Sequence, residues 1–212
     1  MMNAAREQAN RLHQQGREAA SNGDSVRGLE LFNRARELDP TWAYPPYDMA
    51  FTYLLNGHLD EAEKWYTVVD ELEPRGFFTA KTFLDIIRRE KCGEVPEGFA
   101  KVYAMLEWEA EDTRRAVLQQ IVARFPGFAP ALKELAALTE DDSERLAALD
   151  HGLAGKPDDE TYGMLILNKA LVLDRLGRRA EGARLLDELL ADQRCTQAVE
   201  ALAKLTVPGL RQ

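Results

Sequence analysis

Two cysteines stand in 212 residues, Cys92 and Cys195, and no CxxC pair occurs. That removes the framework for a structural zinc site or a thioredoxin-type redox centre, and leaves free thiols in a reducing compartment as the expectation. Three histidines, His13, His58 and His151, lie too far apart in sequence to suggest a metal site. No glycine-rich phosphate loop, GxSxG elbow or HExxH pair is present, and no set of residues motivates catalysis, so the expectation is a non-enzyme without cofactor or metal. Long apolar runs are missing too. The most apolar, MLILNKALVL at 164–173, is interrupted by Asn168 and Lys169 and is too short to span a bilayer. The first residues, MMNAAREQANRLHQQG, are too polar for a signal peptide, so no membrane association and a cytoplasmic location are expected. Positive charge is in deficit: 27 Lys and Arg against 36 Asp and Glu give −9, which argues against general nucleic-acid binding.

Alternation of apolar and polar residues, the mark of a half-buried strand, is also absent, whereas Ala, Leu, Glu and Arg recur throughout. Hydrophobic residues make up 45% and charged residues 30%, enough for a packed all-α core.

That helical chain repeats itself. LELFNRARELDP ends at Pro40 and WYTVVDELEP ends at Pro74, 34 residues later. Counting back from each proline, Gly23 and Gly57 hold a turn. Gly16 and Ala50 are small residues on a first helix, and Gly28 and Ala62 are small residues on a second. Phe32 and Tyr66 are large, and Ala35 and Val69 follow them. Small residues allow two helices to approach, the aromatic fills the space beside them, and proline ends the second helix.

These residues resemble the tetratricopeptide repeat family, whose unit is a 34-residue helix–turn–helix. Gly16, Gly23, Phe32, Ala35 and Pro40, then Ala50, Tyr53, Gly57, Ala62, Tyr66 and Pro74, carry the resemblance over 9–74. Leu12 and Pro46 replace the family's early tryptophan, and Ala19 replaces its tyrosine in the first copy. The resemblance implies a right-handed α-solenoid of about five helix pairs in a single domain over 1–212. Two clear repeats cover 9–74, an inserted helix lies in 75–94, three divergent repeats fill 95–194, and a capping helix closes the chain at 195–206. The inserted helix is FFTAKTFLDIIRREK, with Phe77 and Phe78 stapling it to Trp65 or nearby core. A pair then follows near 97–109 and 112–125. The alternative pairs 77–91 with 97–109 and leaves 112–125 unmatched. In the last repeat Gly177 is the turn glycine, Ala170 the small residue before it, and Gly182 and Leu186 the small and large places.

The resemblance also implies work: binding a protein or peptide in a concave groove lined by the first helix of each pair. There Tyr44, Tyr47 and Phe51 share one helical face, with His13 and Arg17 on the matching face of the first repeat. The same residues could instead pack on neighbouring helices. The family's carboxylate clamp of lysines, asparagines and arginines is not matched, since His13, Arg17 and Asp48 occupy those places. Lys81, Arg88 and Arg89 form a basic patch able to dock an acidic partner, or an ordinary solvated face. Two further functions stand beside the scaffold. One is homo-oligomer assembly through the aromatic face or terminal helix. The other is a ligand sensor or enzyme using the irregular 75–109 segment and Cys92.

Overall fold

Tight glycine turns at near-regular intervals set the architecture. In a computed structural model describing residues 4–211, the chain is all-α and divides after Met105 into two compact units. The first holds α1 (Ala4–Ser21), α2 (Ser25–Leu38), α3 (Tyr44–Leu55), α4 (Leu59–Leu72), α5 (Ala80–Lys91) and α6 (Phe99–Met105). The second opens with a 3₁₀ turn, Leu106–Trp108. It continues with α7 (Glu111–Arg124), α8 (Ala129–Leu138), α9 (Asp142–Ala154), α10 (Asp159–Arg175), α11 (Arg179–Ala191) and α12 (Gln197–Leu210). The described residues contain no strand.

Within the first unit α1 packs on α2 and α3 on α4, each pair joined by a three-residue turn. Gly23 and Gly57 take φ of 87° and 80° in those turns, a region costly for any residue with a Cβ. Asp24 starts α2 by accepting a hydrogen bond from the Arg27 N–H at 3.0 Å. The small-to-large packing expected from the repeat is present. A Cβ placed on Gly16 would lie 2.7 Å from the Phe32 ring, and one on Gly28 would lie 3.1 Å from the Gly16 carbonyl oxygen. Ala50, Ala62, Tyr66 and Val69 repeat this arrangement in the second pair, all fully buried.

The same rule reappears in the second unit. Gly177 turns α10 into α11 with φ of 75°. Gly182 lets α11 approach α10 so closely that a Cβ there would sit 2.8 Å from the Ala170 carbonyl oxygen, and Leu186 beside it is fully buried. α9, which packs on α8, is started by Asp141, whose carboxylate accepts from the Ser143 and Glu144 N–H groups at 2.9 and 2.8 Å.

Around the inserted helix, the packing within each unit shares one feature with the alternative arrangement, α5 against α6, and differs from it in that 112–125 is not left unmatched. α6 packs on α5 and α3 inside the first unit, while α7 packs on α8 inside the second. The cause is a long-range cap. Glu90, buried near the end of α5, accepts from the Gly98 N–H at 2.5 Å and the Ala100 N–H at 2.7 Å, fixing the start of α6. Phe99 and Tyr103 extend this contact, with Tyr103 reaching Phe83 of α5 at 6.5 Å between rings. The terminal helix runs past 206 to Leu210, through Pro208. Proline in the last turn forfeits only one backbone bond, so the helix continues.

Candidate protein-binding face

The face predicted on α3 starts with two prolines. Pro45 and Pro46 occupy the first turn, where a fixed φ and a missing N–H cost nothing, and both are buried. Tyr44, Tyr47 and Phe51 follow at helical spacing. The structure brings all three against residues from the following segment. Tyr44 meets Phe77 edge-on at 4.9 Å and Phe78 at 5.5 Å. Tyr47 meets Phe78 at 5.4 Å and Tyr66 at 5.7 Å, and its hydroxyl lies 2.8 Å from the Thr79 hydroxyl. Phe51 packs at 6.1 Å against Phe83 of α5. Tyr47 and Phe51 are half-buried, whereas Tyr44 keeps 39% of its surface open and Phe78 keeps 61%.

Phe78 is held there at a cost. Its φ is 52°, the left-handed region that glycine occupies readily and a bulky side chain does not. The loop GFFT thus turns one ring, Phe77, inward and the next, Phe78, outward over Tyr44 and Tyr47. Phe77 packs on Tyr44 and Tyr47, in line with a staple to core near Trp65, and Trp65 carries the cations of Arg36 and Lys64 at 5.2 Å from its ring.

Beneath this ledge lies the polar part of the face. His13 is buried, 1% exposed, and its Nε2 lies 2.7 Å from the Asp48 carboxylate. Trp42 and Tyr44 pack edge-on against its ring at 4.9 and 6.0 Å. His13 therefore supports the face from below and does not present itself to a ligand. Arg17, one turn further along α1 and 60% exposed at its side chain, faces the same carboxylate at 3.8 Å. Two residues of this face, Asp48 and Phe78, were not among the candidates drawn from sequence. Asp48 lies 35 positions after His13 and was placed with His13 and Arg17 at the unmatched clamp positions, though not as a partner of His13.

Lys81, Arg88 and Arg89 lie in a mixed ion network. Lys81 pairs with Asp70, and Arg88 reaches Glu63 at 3.1 Å. Arg89 is bracketed by Asp85 at 2.6 Å and Glu94 at 2.5 Å, and Lys91 joins Glu63 at 2.7 Å and Asp60 at 2.6 Å. An acidic partner at this patch would have to displace a carboxylate already in place. The Lys91 ammonium, more than the Arg88 guanidinium, holds the Glu63 carboxyl below the ordinary glutamate value of 4.5, against the opposing effect of burial. A carboxyl whose folded-state pKa is lowered contributes stability at neutral pH, and this is lost as pH falls from its unfolded value through the folded one. Melting temperature is therefore expected to hold from neutral pH to about 5 and to drop below about 4.5. Glu63→Gln should flatten part of that drop, as measured by thermal melting against pH.

Among the described residues no group of three or more His, Cys, Asp and Glu side chains is placed to hold a metal ion. No helix among them is long and apolar enough to cross a membrane. Cys92 is exposed at the end of α5 and donates to the Arg89 carbonyl at 3.3 Å, and Cys195 is buried.

No family model and no curated protein matches the chain. Solved structures do. A thermophilic TPR protein of Thermus thermophilus is 16% identical, with 96% of this chain and 98% of that one covered at a TM-score of 0.41. YrrB, described as a TPR protein with an unusual peptide-binding site, is 15% identical over 92% and 89% at 0.42. MamA from residue 41 onward, of Desulfovibrio magneticus RS-1, is 15% identical over 93% and 99% at 0.40. In repeat length, turn glycines and small-to-aromatic helix packing, the chain is similar to the tetratricopeptide repeat proteins.

Proposed function

We infer that the chain is a non-enzymatic scaffold that holds a peptide or protein segment against the α1–α3 face of its first unit. The observation that carries this reading is Phe78. A phenylalanine in the left-handed region costs about 1–3 kcal/mol, and its ring is nevertheless 61% exposed. The ring packs on Tyr44, Tyr47 and Phe77 yet leaves most of its surface open, and a partner that covers the rest is the reading we draw from its placement. Tyr44 extends the apolar surface, and Arg17 with Asp48 supplies a donor and an acceptor alongside for a bound backbone or side chain. Tyr47 and Phe51 support this ledge by their internal contacts. His13 holds Asp48 in place.

The test is selection of peptides from a random library, followed by calorimetry of the selected sequences. Tyr44→Ala is expected to weaken binding at least about 10-fold, the scale of a truncated aromatic anchor, with helicity unchanged by circular dichroism. Selection that yields no binder, or binding that is equal in wild type and variant, would overturn the reading.

A further inference from the structure

Two cations of the first unit lack a counter-ion. Arg36 lies on α2 and Lys64 on α4, and both rest on the Trp65 ring, each 5.2 Å from its centroid. Neither forms an ion pair among the described residues. Carboxylates are in surplus in this chain, with 36 acids against 27 Lys and Arg, and on α5 Lys81, Arg88, Arg89 and Lys91 are each held by one. Acids also stand close on the two helices concerned. Glu37, next to Arg36, takes its hydrogen bond from the Asn33 amide at 2.8 Å. Glu61 sits in the first turn of α4, where the helix dipole favours it.

Arg36 is also short of hydrogen bonds. Its Nη2 donates to the Asn33 side-chain oxygen at 3.0 Å. Its Nε is buried with no acceptor, and its Nη1 has no partner either but is not buried. A guanidinium taken partly out of water against a single neutral acceptor is under-compensated, and an anion on its open edge supplies what is missing. Stacking on the half-buried indole holds the guanidinium plane, so that edge is aimed before a partner arrives.

We propose that Arg36, Lys64 and Trp65 form a docking site for an acidic protein segment, independent of the α1–α3 face. One carboxylate of the segment accepts from Arg36 at Nη1, and a second lies on the Lys64 ammonium. Both cations stand on one ring, so the two acids need only be near neighbours in the segment. Charge complementarity selects the occupant, since a basic or apolar segment would leave both cations unpaired. Nucleic acid is disfavoured, because two cations offset few phosphates and the −9 of the chain repels a polyanion. On α5 an incoming acid competes with carboxylates already in place, whereas at Trp65 it meets none.

Titration of the protein with a hexaglutamate peptide, followed by nuclear magnetic resonance of the indole N–H groups, tests the proposal. Trp42, Trp65 and Trp108 report separately, and Trp65→Phe assigns the signal. In about 0.1 M salt the distant charges are screened while contact pairs persist. The Trp65 signal is expected to move saturably, with a Kd of roughly 0.1–1 mM, and a hexaglutamine peptide should leave it in place. Arg36→Gln and Lys64→Gln should each weaken binding at least about 3-fold, and together at least about 10-fold, with helicity retained. Arg88→Gln removes the same charge from a cation already paired with Glu63, and should change binding less than about 1.5-fold. A Trp65 signal that stays still up to about 5 mM peptide, equal affinity in Arg36→Gln and Lys64→Gln, or equal loss in Arg88→Gln would each overturn the proposal. So would saturation by inorganic phosphate or by an oligothymidylate at concentrations no higher than the peptide requires, which would assign the site to phosphate.

Discussion

Phe32→Ala is expected to lower the unfolding free energy by about 3–5 kcal/mol, the cost of removing a buried aromatic from a packed core. The ring is 1% exposed, lies against the bare backbone of Gly16, and tilts against His13 at 5.6 Å. Collapse of the neighbours cannot refill the space, because Gly16 has no side chain to move and α1 is held to α2 along its length. The cavity would also open beside the buried His13–Asp48 pair, adding the cost of disturbing a polar contact away from water. Denaturant unfolding followed by circular dichroism measures this directly. A loss under about 1 kcal/mol would mean that the ring is not the filler of the first helix pair.

Gly155→Ala is the second large effect, and it is argued from too much volume, not too little. Gly155 ends α9, where the chain crosses the α7–α8 turn at Gly127. A Cβ on Gly155 would lie 2.0 Å from the Gly127 carbonyl oxygen and 2.9 Å from its carbon. Both are backbone atoms, so no side chain can swing aside, and the two turns must separate. The expected loss is about 1–3 kcal/mol, toward the upper end for a backbone clash. Gly127→Ala is the matched control. A Cβ there meets only the Gly155 Cα, at an ordinary 3.7 Å, and should be nearly neutral. Equal melting temperatures for Gly155→Ala and wild type would contradict the close crossing.

How much of this was legible in the chain depends on range. The Gly16–Phe32 and Gly28–Gly16 contacts could be read because the 34-residue period places them at fixed offsets, and the copy with Ala50, Ala62 and Tyr66 repeats them. Gly182 beside Ala170 was legible for the same reason. The Gly127–Gly155 crossing was not, since its spacing belongs to no repeat and glycine in a turn carries no sign of what lies opposite. Glu90 looked like one acid in a charged run, RREK, yet it is buried and starts α6 eight residues later. That cap is what joins α6 to α5, and local periodicity cannot express it. The aromatic face of α3 was legible as a face. Its cover was not, because the outward turn of Phe78 depends on a left-handed backbone angle that FF does not announce. The basic patch was legible as charge, but part of its neutralisation comes from α4, where Glu63 pairs with Arg88 from 25 residues away and Asp70 with Lys81 from 11, while Asp85 and Glu94 beside Arg89 are local.

The most direct measurement is the paired stability and peptide affinity of Phe78→Gly. Glycine adopts the left-handed region freely, so the substitution relieves backbone strain while removing the exposed ring. If Phe78 is kept for a partner, unfolding free energy stays within about 0.5 kcal/mol of wild type or rises, while affinity for a selected peptide falls at least about 10-fold. If stability instead falls by about 2 kcal/mol or more and affinity is unchanged, Phe78 is a packing residue and the binding face is not the α1–α3 ledge.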